Sequence, residues 1–207
     1  MKIIHMPSGM LSVNTYIVID EDTKKGFIVD PGGWNQRMKQ AVLDEGVDLE
    51  YIVLTHGHSD HIMGIPGLKQ DFPAVKIVAH QDEAQMLSDP DFNMSRQFGQ
   101  PTRITADLAV KDGDTLTVGN MEMTFIFTPG HSPGGMCIYI PKENVLFSGD
   151  TLFAQSIGRT DFPGCSYQKL KEAIHAKLWL LPDETTVYPG HMGGTTIGYE
   201  KGHNPFV

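Results

Sequence analysis

The sequence predicts an α/β fold, and three observations carry that expectation. Strand-like and helix-like segments alternate through the first part of the chain, a series of short strands follows from about residue 108, and an amphipathic helix then precedes one last strand. With 207 residues there is enough chain for a full apolar core, so one domain spanning 1–207 is expected. A hydrophobic fraction of 40% with 20% charged residues belongs to a globular chain rather than a disordered one.

The opening, MKIIHMPSGMLSVNTYIVID, is broken by His5, Pro7, Ser8, Gly9 and Asn14, so it lacks the apolar centre of a signal peptide and reads as a first strand. TYIVID (15–20) and GFIVD (26–30) are β-rich. In NQRMKQAVLDEG (35–46), Met38, Val42 and Leu43 have helical spacing before Gly46. YIVLT (51–55) is a buried strand, a helix starts or breaks near Pro66, KIVAH (76–80) is a strand and QDEAQMLSD a short helix. Residues 89–107 are polar and aperiodic, which predicts a long loop across one face. Strands are expected at 116–118, 121–128, 136–140 and 144–149, separated by Gly, Pro and Asn turns. Leu170, Ile174, Leu178 and Leu181 then mark a helix from Tyr167 to about Leu180, ended by Pro182. A strand over 185–190 and a terminal helix near TTIGYEKG complete the chain.

Charge and composition narrow the function. Sixteen Lys and Arg against 25 Asp and Glu give a net charge of −9, which argues against nucleic acid as a partner. Two cysteines, Cys137 and Cys165, build no disulfide framework and suit a reducing compartment. No run approaches the ~18–20 apolar residues of a membrane span, so a soluble, cytoplasmic protein is expected, as monomer or homodimer.

Three of nine histidines fall within THGHSDH (55–61), together with Asp60. Imidazole and carboxylate are the donors that hold Zn²⁺ at ~2.0–2.2 Å, and His56 and His58, two residues apart in a loop, can face one cavity that Asp60 and His61 also border. A solvated loop with Asp60 as a helix N-cap is the plainer alternative. Position weighs against it. His131 follows FIFTPG, Asp150 follows VLFSG and His191 follows TVYPG, so several strands each deliver a donor just past a C-terminal end, where α/β folds place their sites. Five histidines and two aspartates exceed the three protein ligands of one catalytic zinc. The natural division gives His56, His58 and His131 to one ion and Asp60, His61 and His191 to a second, with Asp150 bridging. Two cations sharing a water hold hydroxide at neutral pH, a hydrolytic nucleophile made without serine or cysteine.

At these residues the sequence resembles the metallo-β-lactamase superfamily, whose T-H-x-H-x-D-H signature stands here as Thr55-His56-Gly57-His58-Ser59-Asp60-His61, followed by the later His, Asp and His. GDTLFAQSIGRTDFPG (149–164) and TTIGYEKGHNPF (195–206) are similar to the glyoxalase II-like branch, the hydroxyacylglutathione hydrolases, in a short form without the family's C-terminal helical domain. The resemblance implies an αββα sandwich of two packed mixed β-sheets with helices outside, and a dinuclear site at one edge. The activity it implies is hydrolysis of a small-molecule thioester such as S-lactoylglutathione, with two zinc ions, or Fe or Mn in their place. Asp60 is the candidate catalytic residue, orienting the hydroxide. Two alternatives share the donors: a mononuclear iron persulfide dioxygenase using His56, His131 and Asp150, and a lactone or ester hydrolase.

Around this set, Arg159 is balanced between an ion pair with Asp161 and contact with an anionic substrate. Cys165 reads as an inert free thiol. Tyr167 and Tyr188 are expected to pack, and His5, His80, His175 and His203 to lie outside the site. Met6, Met10, Phe92, Met94 and Phe98 are candidates for an entrance. Substrate selection is expected from 89–107 and 152–165, or from a partner subunit.

Overall fold

Neighbouring residues along the apolar strands face two different layers, because side chains alternate across a pleated sheet. The computed structural model describes every residue from Met1 to Val207. One six-stranded sheet runs in the order β1 (Lys2–Ser8), β2 (Val13–Ile19), β3 (Lys25–Val29), β4 (Asp48–Val53), β5 (Lys76–His80) and β6 (Leu108–Val110). Its first two pairings are antiparallel and its last three parallel. The other six-stranded sheet is built from β7 (Thr115–Val118), β8 (Met121–Phe127), β9 (Met136–Ile140), β10 (Val145–Gly149), β13 (Thr186–Pro189) and β14 (Thr195–Thr196). Its order is β14-β13-β10-β9-β8-β7, with β10 and β13 parallel. A small hairpin, β11 (Leu152–Phe153) with β12 (Ser156–Ile157), stands apart.

Between the sheets, Tyr16, Val18, Phe27, Val29 and Val53 meet Met123, Phe125, Ile138 and Phe147. The opposite residues of the first sheet, Ile17, Ile19, Ile28, Ile52 and Leu54, pack with Met38, Val42, Leu68 and Leu87. These come from α1 (Gln36–Asp44), α3 (Ile65–Asp71) and α4 (Ala84–Ser88), while α2 (Ser59–Ile62) is a single turn at the sheet edge. On the far side, Cys137, Tyr139, Leu146 and Val187 pack against Leu170 and Ile174 of α5 (Tyr167–Lys177) and Ile197 of α6 (Ile197–His203). Four layers follow, α/β/β/α, as the sequence predicts. Covering both faces of a sheet explains why β2 is buried along its whole length rather than at alternate residues.

Local chemistry sets the helix ends. The Asn35 side chain accepts from the Met38 amide at 3.1 Å, and Ser166 accepts from Lys169 at 3.3 Å. Pro66 sits in the first turn of α3, where its missing N–H costs nothing. The predicted helix to about Leu180 is helical to Lys177 and tightens into a 3₁₀ turn over Leu178–Leu180. Residues 89–107 contain no helix or strand, as expected. Strands β11, β12 and β14, of two residues each, are too short to show a period and were not expected from the sequence, and β6 lies at the start of the strand-rich stretch without a range of its own there.

Strands β3 and β4 are parallel, as are β10 and β13, and β8 points the same way as β10 because β9 runs antiparallel to both. The loops after these strands therefore emerge along one edge of the sandwich. The edge is closed by a bond from the Met136 amide to the Thr55 carbonyl at 2.9 Å, which ties one sheet to the other.

Candidate metal centre

Three overlapping groups of donors converge at that edge. His56, His58 and His131 bring ligand atoms within 4.8 Å of one another, Asp60, His61 and His191 do the same, and so do Asp30, His56 and His61. In the first group His131 Nε2 lies 2.9 Å from His58 Nδ1 and 3.2 Å from His56 Nε2. In the second, Asp60 Oδ2 lies 3.1 Å from His191 Nε2 and 3.7 Å from His61 Nε2. Asp150 stands between them. Its Oδ2 is 3.5 Å from His131 and 3.7 Å from His191, and its Oδ1 is 3.4 Å from His61. All seven residues singled out in the sequence thus meet in one place. Asp60 lies inside the first turn of α2, with His58 at the cap position, so its carboxylate turns toward His191 instead of capping the helix.

Hydrogen bonds aim the rings. The Arg159 carbonyl can only accept, so His131 Nδ1 donates to it at 2.8 Å and Nε2 keeps its lone pair toward the cluster. Thr55 Oγ1 donates to Asp30 Oδ2 at 2.6 Å and stands 3.1 Å from His56 Nδ1, which donates in turn and leaves His56 Nε2 bare. His61 Nδ1 donates to the same Asp30 oxygen at 2.9 Å. Such outer partners fix the tautomer of a metal-binding imidazole. His56 Nε2 and His131 Nε2 then face each other as acceptors 3.2 Å apart, a pairing that a cation between them relieves.

Buried atoms without partners point the same way. His61 Nε2 and Asp150 Oδ1 have no hydrogen-bond partner although both are enclosed. Burial pushes His56 well below the usual imidazole range, helped by the neighbouring histidines, and pushes His58 down to about 3, so both stay neutral. At His61 burial also pushes down, but Asp60, Asp150 and Asp30 together overcome it and raise that ring well above its ordinary value. The His61 corner therefore demands positive charge. Bare nitrogens, an orphaned carboxylate oxygen and excess negative charge fit two divalent cations.

Three positioning residues escaped the sequence reading. Asp30, at φ +48°, also accepts the Thr55 amide at 2.8 Å, while its side chain faces the Nδ1 side of His61, away from the candidate ligand atom. Asn14 donates to the carbonyls of Pro189 at 3.0 Å and Met192 at 2.9 Å, holding the loop that carries His191. Glu83, fully buried, accepts from Gly57 at 2.7 Å and from Ser132 and Gly134 at 3.2 and 2.5 Å, joining the loops of His58 and His131. Asp30 and Asn14 had a faint signal, since each lies in or just beyond an apolar strand where a polar residue needs a partner. Glu83 lay unmarked in a polar stretch.

Burial pushes the Glu83 carboxyl from an ordinary 4.5 up to about 7, against the pull of its three donors. A carboxyl raised in the folded state stabilises the fold fully below its unfolded value and loses that contribution as pH rises through the folded value. Relative to Glu83→Gln, the metal-free protein is expected to lose about 3 kcal/mol between pH 4.5 and 7. Urea unfolding of both proteins at pH 5 and pH 8 measures it, and parallel changes in the two would contradict it.

Gly190 illustrates why small residues precede the ligands. A Cβ there would collide with Asp150 Oδ1 and His61 Cε1. Gly190→Ala is expected to lower metal affinity about 10–100-fold with modest change in thermal stability, checked by competition against a chelating dye.

A cavity of about 450 Å³ opens over the cluster, bordered by Met94 and Phe98 from 89–107, by Phe153, Arg159 and Phe162, and by Leu11 and Met192. Both expected specificity segments therefore reach it. Met10 lines an adjoining hollow with Leu11 and Phe98, whereas Met6 belongs to the core and Phe92 lies outside the cavity wall, so these two do not form an entrance. Arg159 makes a two-bond pair with Asp161, at 2.7 Å each, and still borders the cavity. The half-buried Cys165 thiol donates to the His131 carbonyl and is raised by burial, consistent with an unreactive thiol. Tyr188 packs on Tyr16 and Phe147, but Tyr167 is 44% exposed and bonds the Phe206 carbonyl instead of packing. His5, His80, His175 and His203 make local contacts away from the cluster.

The family model of the metallo-β-lactamase superfamily matches residues 8–191. Hydroxyacylglutathione hydrolase GloC of Haemophilus influenzae is 35% identical over 211 residues, covering 100% of this chain and 98% of that protein. The crystal structure of BLEG-1 B3 metallo-β-lactamase superposes with a TM-score of 0.91 at 39% identity, covering 99% of each chain. That of TTHA1623 in a di-iron-bound form gives a TM-score of 0.86 at 29% identity, covering 99% of this chain and 100% of that one. No helix is long and apolar enough to cross a membrane. With its sandwich, its signature loop and its edge cluster, the chain belongs to the metallo-β-lactamase superfamily.

Proposed function

We propose that this chain is a metal-dependent hydrolase of the glyoxalase II-like kind, cleaving thioesters at a site of two zinc ions. The observation that carries the reading is the place of Asp150, whose two oxygens face both donor triads. His56, His58 and His131 would hold one ion and Asp60, His61 and His191 the other, with Asp150 between. When bound, the metals supply Lewis acidity and a water acidified toward neutral pH. The chain's own residues do the rest. Asp60, which borders the cavity, would accept a hydrogen from the attacking water and orient it. The protein buries the cluster beneath an apolar wall, which thins out competing water and strengthens each electrostatic contact. A departing thiolate is weakly basic, so the scarcity of a further acid in the cavity suits a thioester better than an amide.

The relative named a hydroxyacylglutathione hydrolase supports the thioester class, and the di-iron-bound neighbour supports a dinuclear centre. The second triad disfavours a mononuclear iron oxygenase, which needs only His56, His131 and Asp150. The test is metal analysis of purified protein, followed by assays of S-lactoylglutathione, a lactone, a β-lactam and glutathione persulfide. About two metals per chain with thioester turnover is the expected result. One iron per chain with oxygen uptake on persulfide would overturn it, as would turnover confined to the lactone or lactam.

A further inference from the structure

We infer that the cavity selects thioesters built on an uncharged thiol and bearing an apolar acyl chain, which lies between Met94 and Met192. The inference rests on the thioester reading and adds the chemistry of the substrate's non-reacting part.

Of the seven non-glycine residues with positive φ, only two methionines line the cavity. Met94 has φ +70° and Met192 φ +67°, the left-handed region that disfavours any residue with a Cβ. Both line the cavity over the cluster, one from the long 89–107 loop and one directly after His191. Met192 gains nothing from burial, being 62% exposed, and the nearby Leu11 is 52% exposed. For Met192 a disfavoured conformation and an apolar side chain left in water bring no structural return, and Leu11 on the same cavity is likewise uncovered. An apolar ligand would bury them. Phe98, Phe153, Ile157 and Phe162 extend the apolar wall, which the polar Ser59, Ser156 and Arg159 interrupt. Methionine is unbranched and soft, so such a wall adapts to chains of different length.

Charge excludes the opposite choice. Arg159 is the one Lys or Arg bordering the cavity, and Asp161 already holds two of its guanidinium nitrogens at 2.7 Å each, while its plane lies 3.9 Å over the Phe162 ring. A glutathione arm carries two carboxylates against one ammonium, a net negative charge, and meets no unpaired side-chain cation here. A neutral arm avoids that penalty, and the cavity, at about 450 Å³, has room for it.

The test uses metal-loaded protein and thioesters of N-acetylcysteamine with acyl chains of two, four, six and eight carbons, beside the six-carbon thioester of glutathione. The expected result is a kcat/KM that rises at least tenfold from two to six carbons, with the neutral six-carbon ester preferred to its glutathione counterpart. Met94→Ser and Met192→Ser should each flatten the rise while metal content stays at the parent level. A flat series, or a glutathione preference that Arg159→Ala removes, would overturn the inference and leave the thioesterase reading standing. Binding of the uncleavable thioethers S-methyl- and S-hexyl-N-acetylcysteamine, followed by calorimetry, separates the two failures. No thioester turnover with at least tenfold tighter S-hexyl binding refutes the reaction but supports the apolar pocket; equal binding of both refutes the pocket.

Discussion

Replacing Asp150 with alanine is expected to lower turnover at least about 10³-fold and to leave about one metal ion per chain. The physical reason is that one buried carboxylate faces both triads. Its Oδ2 faces His131 and His191 and its Oδ1 faces His61, the last without any hydrogen bond to satisfy it. Burial pushes this carboxyl up, but His61 and the neighbouring histidines hold it well below the usual carboxylate range, so it is ionised and available to cations. Alanine would remove the carboxylate proposed to bridge the ions while the triad of His56, His58 and His131 remains, which is why one ion should persist. Plasma emission analysis gives the stoichiometry and far-UV circular dichroism reports the fold. A variant with two metals and near-parental kcat would refute the bridging role.

The second large effect is expected at Asp30, which touches none of the reacting groups. Its carboxylate accepts from the Thr55 amide, the Thr55 hydroxyl and His61 Nδ1, all in a site 1% exposed. Asp30→Asn retains the acceptor for the Thr55 amide and tolerates the left-handed backbone, but it places an amide N–H against His61 Nδ1. The imidazole then moves its proton to Nε2, the atom that faces Asp60 and Asp150. Metal affinity at that position is expected to fall about 10–100-fold with the fold preserved. Asp30→Ala leaves the Thr55 amide unsatisfied as well and should cost about 2–4 kcal/mol of stability. Chelator competition and urea unfolding separate the two variants. Equal metal affinity in Asp30→Asn and the parent would show that Asp30 is merely structural.

The elements were legible wherever a run was long enough to display its period. KIVAH over 76–80 and MCIYI over 136–140 form strands with those bounds, because continuous apolar stretches between turn residues have few other fates. The two-residue hairpin of Leu152–Phe153 with Ser156–Ile157 was not legible, since it depends on neighbours and not on its own pattern. Met6 misled for a related reason: beside Pro7 and Gly9 it looks like a loop residue, yet it belongs to β1 and packs under the helices.

By itself the sequence pointed to the α/β class and to seven candidate donors, because a chain can announce locally that imidazoles and carboxylates follow strand ends. The tertiary structure alone decided how those donors are held. Asp30 reaches His61 across 31 residues, Glu83 reaches Gly57 across 26 and Gly134 across 51, and Asn14 reaches Pro189 across 175. No spacing rule connects such pairs. They meet because two sheets bury their inner faces against each other, and each polar group enclosed at the shared edge must then find a partner from whichever strand the packing brings alongside.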